Sequence, residues 1–128
     1  EAVLGADAGN LKALTRLSRG LQHNDPEQSL TLAEKAKAIA PDSPEVLDTL
    51  ALAAYANGDY QSAALNARQA IMRAPDTPDY RYHHALILSA QGKTAGAVAA
   101  LEELLQEPAA FEEYEDAARL LDELTNPG

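Results

Sequence analysis

The chain has 128 residues, 46% of them hydrophobic and 23% charged, with a formal net charge of -10 and no cysteine. That balance suits one globular domain or a short repeat array. It excludes disulfides and thiolate metal sites, and the negative charge argues against nucleic acid and anionic lipid surfaces as partners. No apolar run is long enough to span a bilayer and no signal peptide is visible. The first residue is Glu1 and not Met, which leaves open a processed protein or a fragment.

Ala and Leu dominate and aromatics make up only 5%, a mix that favours helices over strands. Residues 1–9 have no strong period and read as a flexible, frayed segment. Leu14, Leu17, Ser18 and Leu21 then recur at helical spacing. His23-Asn24-Asp25-Pro26 forms a turn, in which Asp25 caps the next helix and Pro26 opens it, where a missing N–H costs nothing. Leu30, Ala33, Ala36 and Ile39 make the stripe of that second helix.

The segment Pro41-Asp42-Ser43-Pro44 closes this first unit, and Pro75-Asp76-Thr77-Pro78 repeats the pattern 34 residues later. Between them, Leu47, Leu50, Ala51 and Ala54 form one stripe and Tyr60, Ala63, Ala67, Ala70 and Ile71 a second. Asn57-Gly58-Asp59 separates the two, with Gly58 suited to the left-handed C-terminal position and Asp59 to capping. A third unit follows the same grammar. Tyr82, Ala85, Leu88 and Ala90 precede the turn Gln91-Gly92-Lys93, and Ala97, Val98, Leu101, Leu104 and Leu105 follow it, ending at Pro108. The first unit's turn is one residue shorter and lacks Gly.

A last amphipathic helix carries Phe111, Tyr114, Ala117, Ala118, Leu121 and Leu124 on one face. Glu112, Glu113, Glu115, Asp116, Asp122 and Glu123 cover the other and read as solvated. One apolar and one wet face is what the end of a solenoid requires. The spacing therefore predicts repeats over about 10–43, 44–77 and 78–108, a capping helix over 109–124 and a tail over 125–128. Ser18, Ala51 and Ala85 are equivalent, as are Ala63 and Ala97. Small side chains at those places let paired helices approach closely.

A helix–turn–helix of this length, with these small, large and Pro positions, resembles the tetratricopeptide repeat (TPR). The second unit matches that family's pattern at Leu47, Leu50-Ala51, Ala54, Ala63, Ala67, Ala70 and Pro75. The third matches at Arg81, His84-Ala85, Leu88, Ala97, Leu101 and Leu104. The family's Trp and Tyr anchors are absent. The resemblance covers roughly residues 11–108 and implies an all-α, right-handed superhelical solenoid whose first helices line a concave groove.

A narrower similarity is to the C-terminal parts of bacterial repeat lipoproteins associated with exopolysaccharide export and PEP-CTERM sorting. It rests on runs such as Leu32-Ala33-Glu34-Lys35-Ala36, Ala40-Pro41-Asp42-Ser43-Pro44 and Ala117-Ala118-Arg119-Leu120-Leu121. It implies the cell envelope or periplasm, with the cytoplasm as the alternative that a cysteine-free chain allows equally.

The family resemblance implies a non-catalytic scaffold that binds a protein or peptide segment in the groove. Mapped by phase, Lys12, Thr15, Arg16, Arg19 and Gln22 line it from the first unit. Glu45, Asp48, Thr49, Leu52 and Tyr55 line it from the second, and Asp79, Tyr82, His83, Leu86 and Ser89 from the third. That order runs from basic to acidic and aromatic, which suits a segment of mixed charge. The alternative for each residue is an ordinary solvated side chain. A clamp for a C-terminal carboxylate, as in some members of the family, needs Lys, Arg and Asn from neighbouring first helices. Here only Lys12, Arg16 and Arg19 qualify, all from one unit.

The residues that could suggest an enzyme read more simply as structure. His83-His84 point about 100° apart on a helix and share no face. Asp79 and His83 could both touch one ion, but no third ligand is evident, so no metal is expected. Gly92-Lys93-Thr94 lacks the upstream glycine and strand of a phosphate loop, and no cofactor is implied. The alternatives to a scaffold are a homo-oligomerisation module, giving a homodimer, or an accessory domain cut from a larger protein.

Overall fold

The computed structural model describes residues 3–106 and 112–126, with side chains from residue 10 onward. It contains α1 (Val3–Gly20), α2 (Pro26–Ile39), α3 (Pro44–Ala56), α4 (Tyr60–Arg73), α5 (Pro78–Ala90), α6 (Thr94–Leu104) and α7 (Tyr114–Thr125), with no strand among the described residues. The backbone is helical from Val3, so α1 reaches into the segment expected to fray; the side chains of 1–9 lie outside the described residues. So do Pro108 and Phe111, which were expected to end the third unit and to anchor the last helix.

The helix boundaries follow from the turn residues. Asp25, Ser43 and Asp59 each precede a helix, and their side-chain oxygens accept from the backbone N–H of Gln28, Val46 and Ser62 at 3.2, 3.3 and 3.2 Å. Pro26, Pro44 and Pro78 stand at helix starts. Gly58 and Gly92 have φ of 80° and 79°, the left-handed conformation that stops α3 and α5 and that side chains resist.

Consecutive helices pack against one another, and α1, α3 and α5 also touch in sequence. The core is a chain of small clusters that straddle the units. Ala33, Leu50 and Ala53 join α2 to α3. Ala51, Ala54, Ala63, Ala64, Ala67 and Ile87 join α3, α4 and α5. Tyr82, Ala85, Leu101, Leu104 and Ala117 join α5, α6 and α7. No unit buries its apolar surface alone, which is the energetic basis of a solenoid. Each fully buried Leu, such as Leu101, contributes roughly 2 kcal/mol.

Ser18, Ala51, Ala85, Ala63 and Ala97 are all fully buried, as their equivalence requires. The first unit adds a variation. Ser29, the counterpart of Ala63, is buried beside Ser18, and each hydroxyl donates to the other residue's carbonyl, at 2.8 and 2.7 Å. The close approach of α1 and α2 is thus a hydrogen-bonded one.

Leu17, Ile39 and Tyr60 were assigned to apolar stripes but are 54%, 40% and 37% exposed. For Leu17 the reason is positional. Among the described residues α1 packs mainly on α2 and α3, and Leu17 lies on the exposed flank of the helix.

Candidate functional site

The first helix of each pair faces one side of the stack. A concave opening of about 800 Å³ on that side is lined by Arg19, Gln22, Glu45, Asp48, Leu52, Thr77, Asp79, Tyr80, His83, Glu112, Glu113 and Asp116. A second, of about 440 Å³, continues it past Arg19 and Glu45 to Lys12, Thr15 and Arg16. Every lining residue belongs to α1, α3, α5 or α7, or immediately flanks one of them. None comes from α2, α4 or α6.

The floor of this groove is a line of charged side chains joined across four elements. Arg19 of α1 donates through Nη2 to Asp48 Oδ2 at 3.1 Å and through Nε to Thr49 Oγ1 at 2.9 Å. Asp48 of α3 is fully buried, and both its oxygens lie 2.9 Å from His83 Nδ1 of α5. His83 Nε2 in turn lies 2.9 Å from Glu113 Oε1, at the N-cap of α7. Burial by itself would lower the His83 pKa. The hydrogen bonds to Asp48 and Glu113 outweigh it and raise the pKa from 6.5 to about 9. At neutral pH His83 is therefore a cation between two carboxylates, and Arg19 supplies a second positive charge. A buried carboxylate needs such partners, because an unpaired one costs several kcal/mol.

This geometry sorts the residues expected to line the groove. Arg19, Gln22, Glu45, Asp48, Leu52, Asp79 and His83 come together in the larger opening, and Lys12, Thr15 and Arg16 in the smaller. Within that set Thr15, Asp48, Leu52 and His83 are buried and form floor more than surface. Thr15 closes onto its own helix, donating to the Lys12 carbonyl at 3.0 Å. Thr49 is fully buried beneath Arg19. Tyr82 is a correction: it belongs to the core cluster with Leu101, Leu104 and Ala117, because the position four residues after Pro78 turns towards α6 and α7. Tyr55 packs against the Ala-rich cluster, its ring 5.7 Å from that of Tyr60. Leu86 and Ser89 are half-buried and line neither opening.

Five residues of the larger opening lie outside the expected set: Thr77, Tyr80, Glu112, Glu113 and Asp116. Tyr80 supplies the aromatic surface expected from Tyr82. Glu112 and Glu113, together with Asp116, read in the sequence as a solvated face, but Glu113 meets His83 of α5 and the N-terminal end of α7 lines the groove. The available signal was the apolar stripe of the last helix, whose Ala117 is fully buried in one cluster with Ala85. Asp79 sits between these groups. Burial, and Glu113 beside it, push its carboxyl above the usual range, and its Oδ1 is buried without a hydrogen-bond partner among the described residues.

The His84 ring is half-buried where the repeat has an apolar residue. Burial first, then Arg68 and Lys93, push its pKa down, so it packs as a neutral ring. Among the described residues no group of three or more His, Asp and Glu could hold a metal ion, and no helix is long and apolar enough to cross a membrane.

Solved structures share this architecture. The chain superposes on an O-GlcNAc transferase mutant from Thermobaculum terrenum with a TM-score of 0.83 and 27% identity, covering 95% of this chain but only 23% of that one. It superposes on the second TPR domain of human RPAP3 in complex with an HSP70 peptide at TM-score 0.76 and 16% identity, covering 94% and 98% of the two chains. The Yersinia enterocolitica type III secretion chaperone SycD, in complex with a peptide of the translocator YopD, gives 0.73 and 18%, covering 90% and 92%. No curated protein matches the sequence. Residues 22–104 match the family described as anaphase-promoting complex, cyclosome, subunit 3. That match spans all of α2 to α6, with the caps and turn glycines that define the helix pairs, and on it the chain belongs to this family of TPR-like helical repeats.

Proposed function

We propose that the chain is a non-catalytic protein-interaction module that holds a partner segment of mixed charge along its concave groove. The observation that carries this reading is the groove's polarity. Exposed Lys12 and Arg16 stand at one end, while Glu45, Asp79, Glu112 and Asp116 occupy the middle and the other end. An acidic stretch of a partner would lie over α1 and a basic stretch over α5 and the start of α7. Leu52 and Tyr80 would supply apolar contact between them. Complementary charge of this kind fixes register and speeds encounter more than it adds affinity.

The structural neighbours whose descriptions name bound peptides support the same reading by analogy of fold. The clamp for a C-terminal carboxylate gains no support, since Arg19, the cation nearest the groove's centre, is already committed to Asp48. An envelope-assembly setting is the finer reading that the narrower resemblance to exopolysaccharide-associated lipoproteins suggests. That setting rests on the quoted sequence runs alone.

The test is a titration of the isotope-labelled chain with a designed peptide that has one acidic and one basic half. Shifts concentrated on α1, α3, α5 and the start of α7 support the groove. Shifts confined to α2, α4 and α6 would refute it.

A second reading, self-association, is favoured by Leu65 and Met72 of α4, 49% and 78% exposed. Light scattering decides it: a tight dimer that Met72→Lys disperses supports association through the outer helices.

A further inference from the structure

We propose that the His83–Glu113 contact is a latch that fixes the N-terminal end of α7 to α5, so that the groove's far wall stands only while the latch is closed. Three observations carry this. First, both ring nitrogens of His83 face carboxylates, Nδ1 facing Asp48 and Nε2 facing Glu113, all at 2.9 Å. A neutral imidazole has one N–H and can serve only one of them. Second, the two carboxylates are unequal. The Asp48 side chain is fully buried and cannot reach water, whereas that of Glu113 is 32% exposed. The single remaining proton therefore stays on Nδ1, and the Nε2 lone pair is left against the Glu113 carboxylate. Glu113 then gains by turning to water. Third, Glu112, Glu113 and Asp116 are themselves the groove wall at this end, so releasing Glu113 dismantles that wall.

The charged and titratable groups around His83 act in concert. Arg19 of α1 and Glu45 and Asp48 of α3 lie on one side. Asp79, Tyr80 and Tyr82 come from α5 itself, and Glu112, Glu113 and Asp116 from the start of α7. The α6 helix presents the apolar Leu101 and Leu104 to the shared cluster with α7. Acidic groups outnumber basic ones here, which favours the charged ring and a closed latch at neutral pH. The consequence for a partner rests on the groove reading; the latch itself is a property of the free chain.

Hydrogen exchange on the free full chain tests it. Glu113→Ala at pH 7 is expected to speed exchange of the α7 amides about tenfold relative to α3 and α4. Glu113 makes no side-chain cap hydrogen bond, so no cap is lost. Glu115→Ala, which removes a first-turn charge of α7 without touching His83, is the control and is expected to leave α7 near the wild-type rate. In the wild type, α7 exchange corrected for its intrinsic pH dependence should rise between pH 7 and 9.5, and this rise should vanish in Glu113→Ala. Unchanged α7 exchange in Glu113→Ala, or an equal rise in Glu115→Ala, would overturn the latch. Neither result bears on whether a peptide titrates into the groove, so the two readings fail separately.

Discussion

Asp48 and His83, 35 residues apart in sequence, meet at 2.9 Å in the floor of the groove, the carboxylate fully buried and the ring nearly so. Neither is tolerable there without the other. The pair ties α3 to α5, and through Arg19 and Glu113 the same line reaches α1 and α7. The helices that bear the groove are thus held by charge at its floor and by small apolar residues behind it.

The His83 pKa makes stability depend on pH with a definite sign. Its folded value of about 9 lies above the ordinary 6.5, so the folded state binds the proton more tightly. The stabilisation is complete below pH 6.5, declines as pH rises, and is gone above about 9. Its size is on the order of 3 kcal/mol. Urea unfolding from pH 6 to 9.5 should show this fall in the wild type and a much flatter profile in His83→Gln.

Removing Asp48 alone should be costly, because Arg19 and a charged His83 would be left facing each other. Asp48→Ala is expected to destabilise by about 3–5 kcal/mol. Replacing the pair together, as Asp48→Leu with His83→Leu, should cost much less than the single changes sum to. Equilibrium denaturation of Asp48→Leu, His83→Leu and the double variant measures that coupling.

The Ser18–Ser29 contact predicts a similar asymmetry on a smaller scale. Ser29→Ala strips Ser18 of one partner and should cost about 1 kcal/mol. The double change to Ala copies the Ala51–Ala63 and Ala85–Ala97 pairs of the other units and should be close to neutral. Ser18→Leu, which forces α1 from α2, should cost roughly 1–3 kcal/mol. Thermal and urea unfolding distinguish the three.

Gly58 and Gly92 hold positive φ in open surroundings, with nothing within 4 Å of an added Cβ. The cost of Ala there is conformational alone, about 1 kcal/mol at each site. Pro41→Ala, outside any such turn, should shift the unfolding midpoint far less.

Much of this architecture was legible in the sequence because it depends on local chemistry. Proline, capping Asp and Ser, and glycine at fixed offsets mark helix ends, and the small residues at Ser18, Ala51 and Ala85 mark where helices touch. The groove was legible in outline, since first helices are identifiable by phase. What spacing could not supply was rotation about each helix axis. Tyr82 and Tyr80 are neighbours on α5, yet one is core and the other groove. Nor could it supply pairing across units. Asp48, His83 and Glu113 each look like solvated polar residues until α3, α5 and α7 are set side by side, and the buried line between them is then forced.

Affinity of a fluorescein-labelled peptide with an acidic and a basic half, measured by anisotropy against charge-reversed chains, tests the groove most directly. Lys12→Glu with Arg16→Glu changes only exposed groups at the basic end, so the fold is left intact. The account predicts about tenfold weaker binding at low salt, with the difference shrinking as salt rises, and partial recovery when the acidic half of the peptide is made basic. Equal affinity for both chains and both peptides would contradict it.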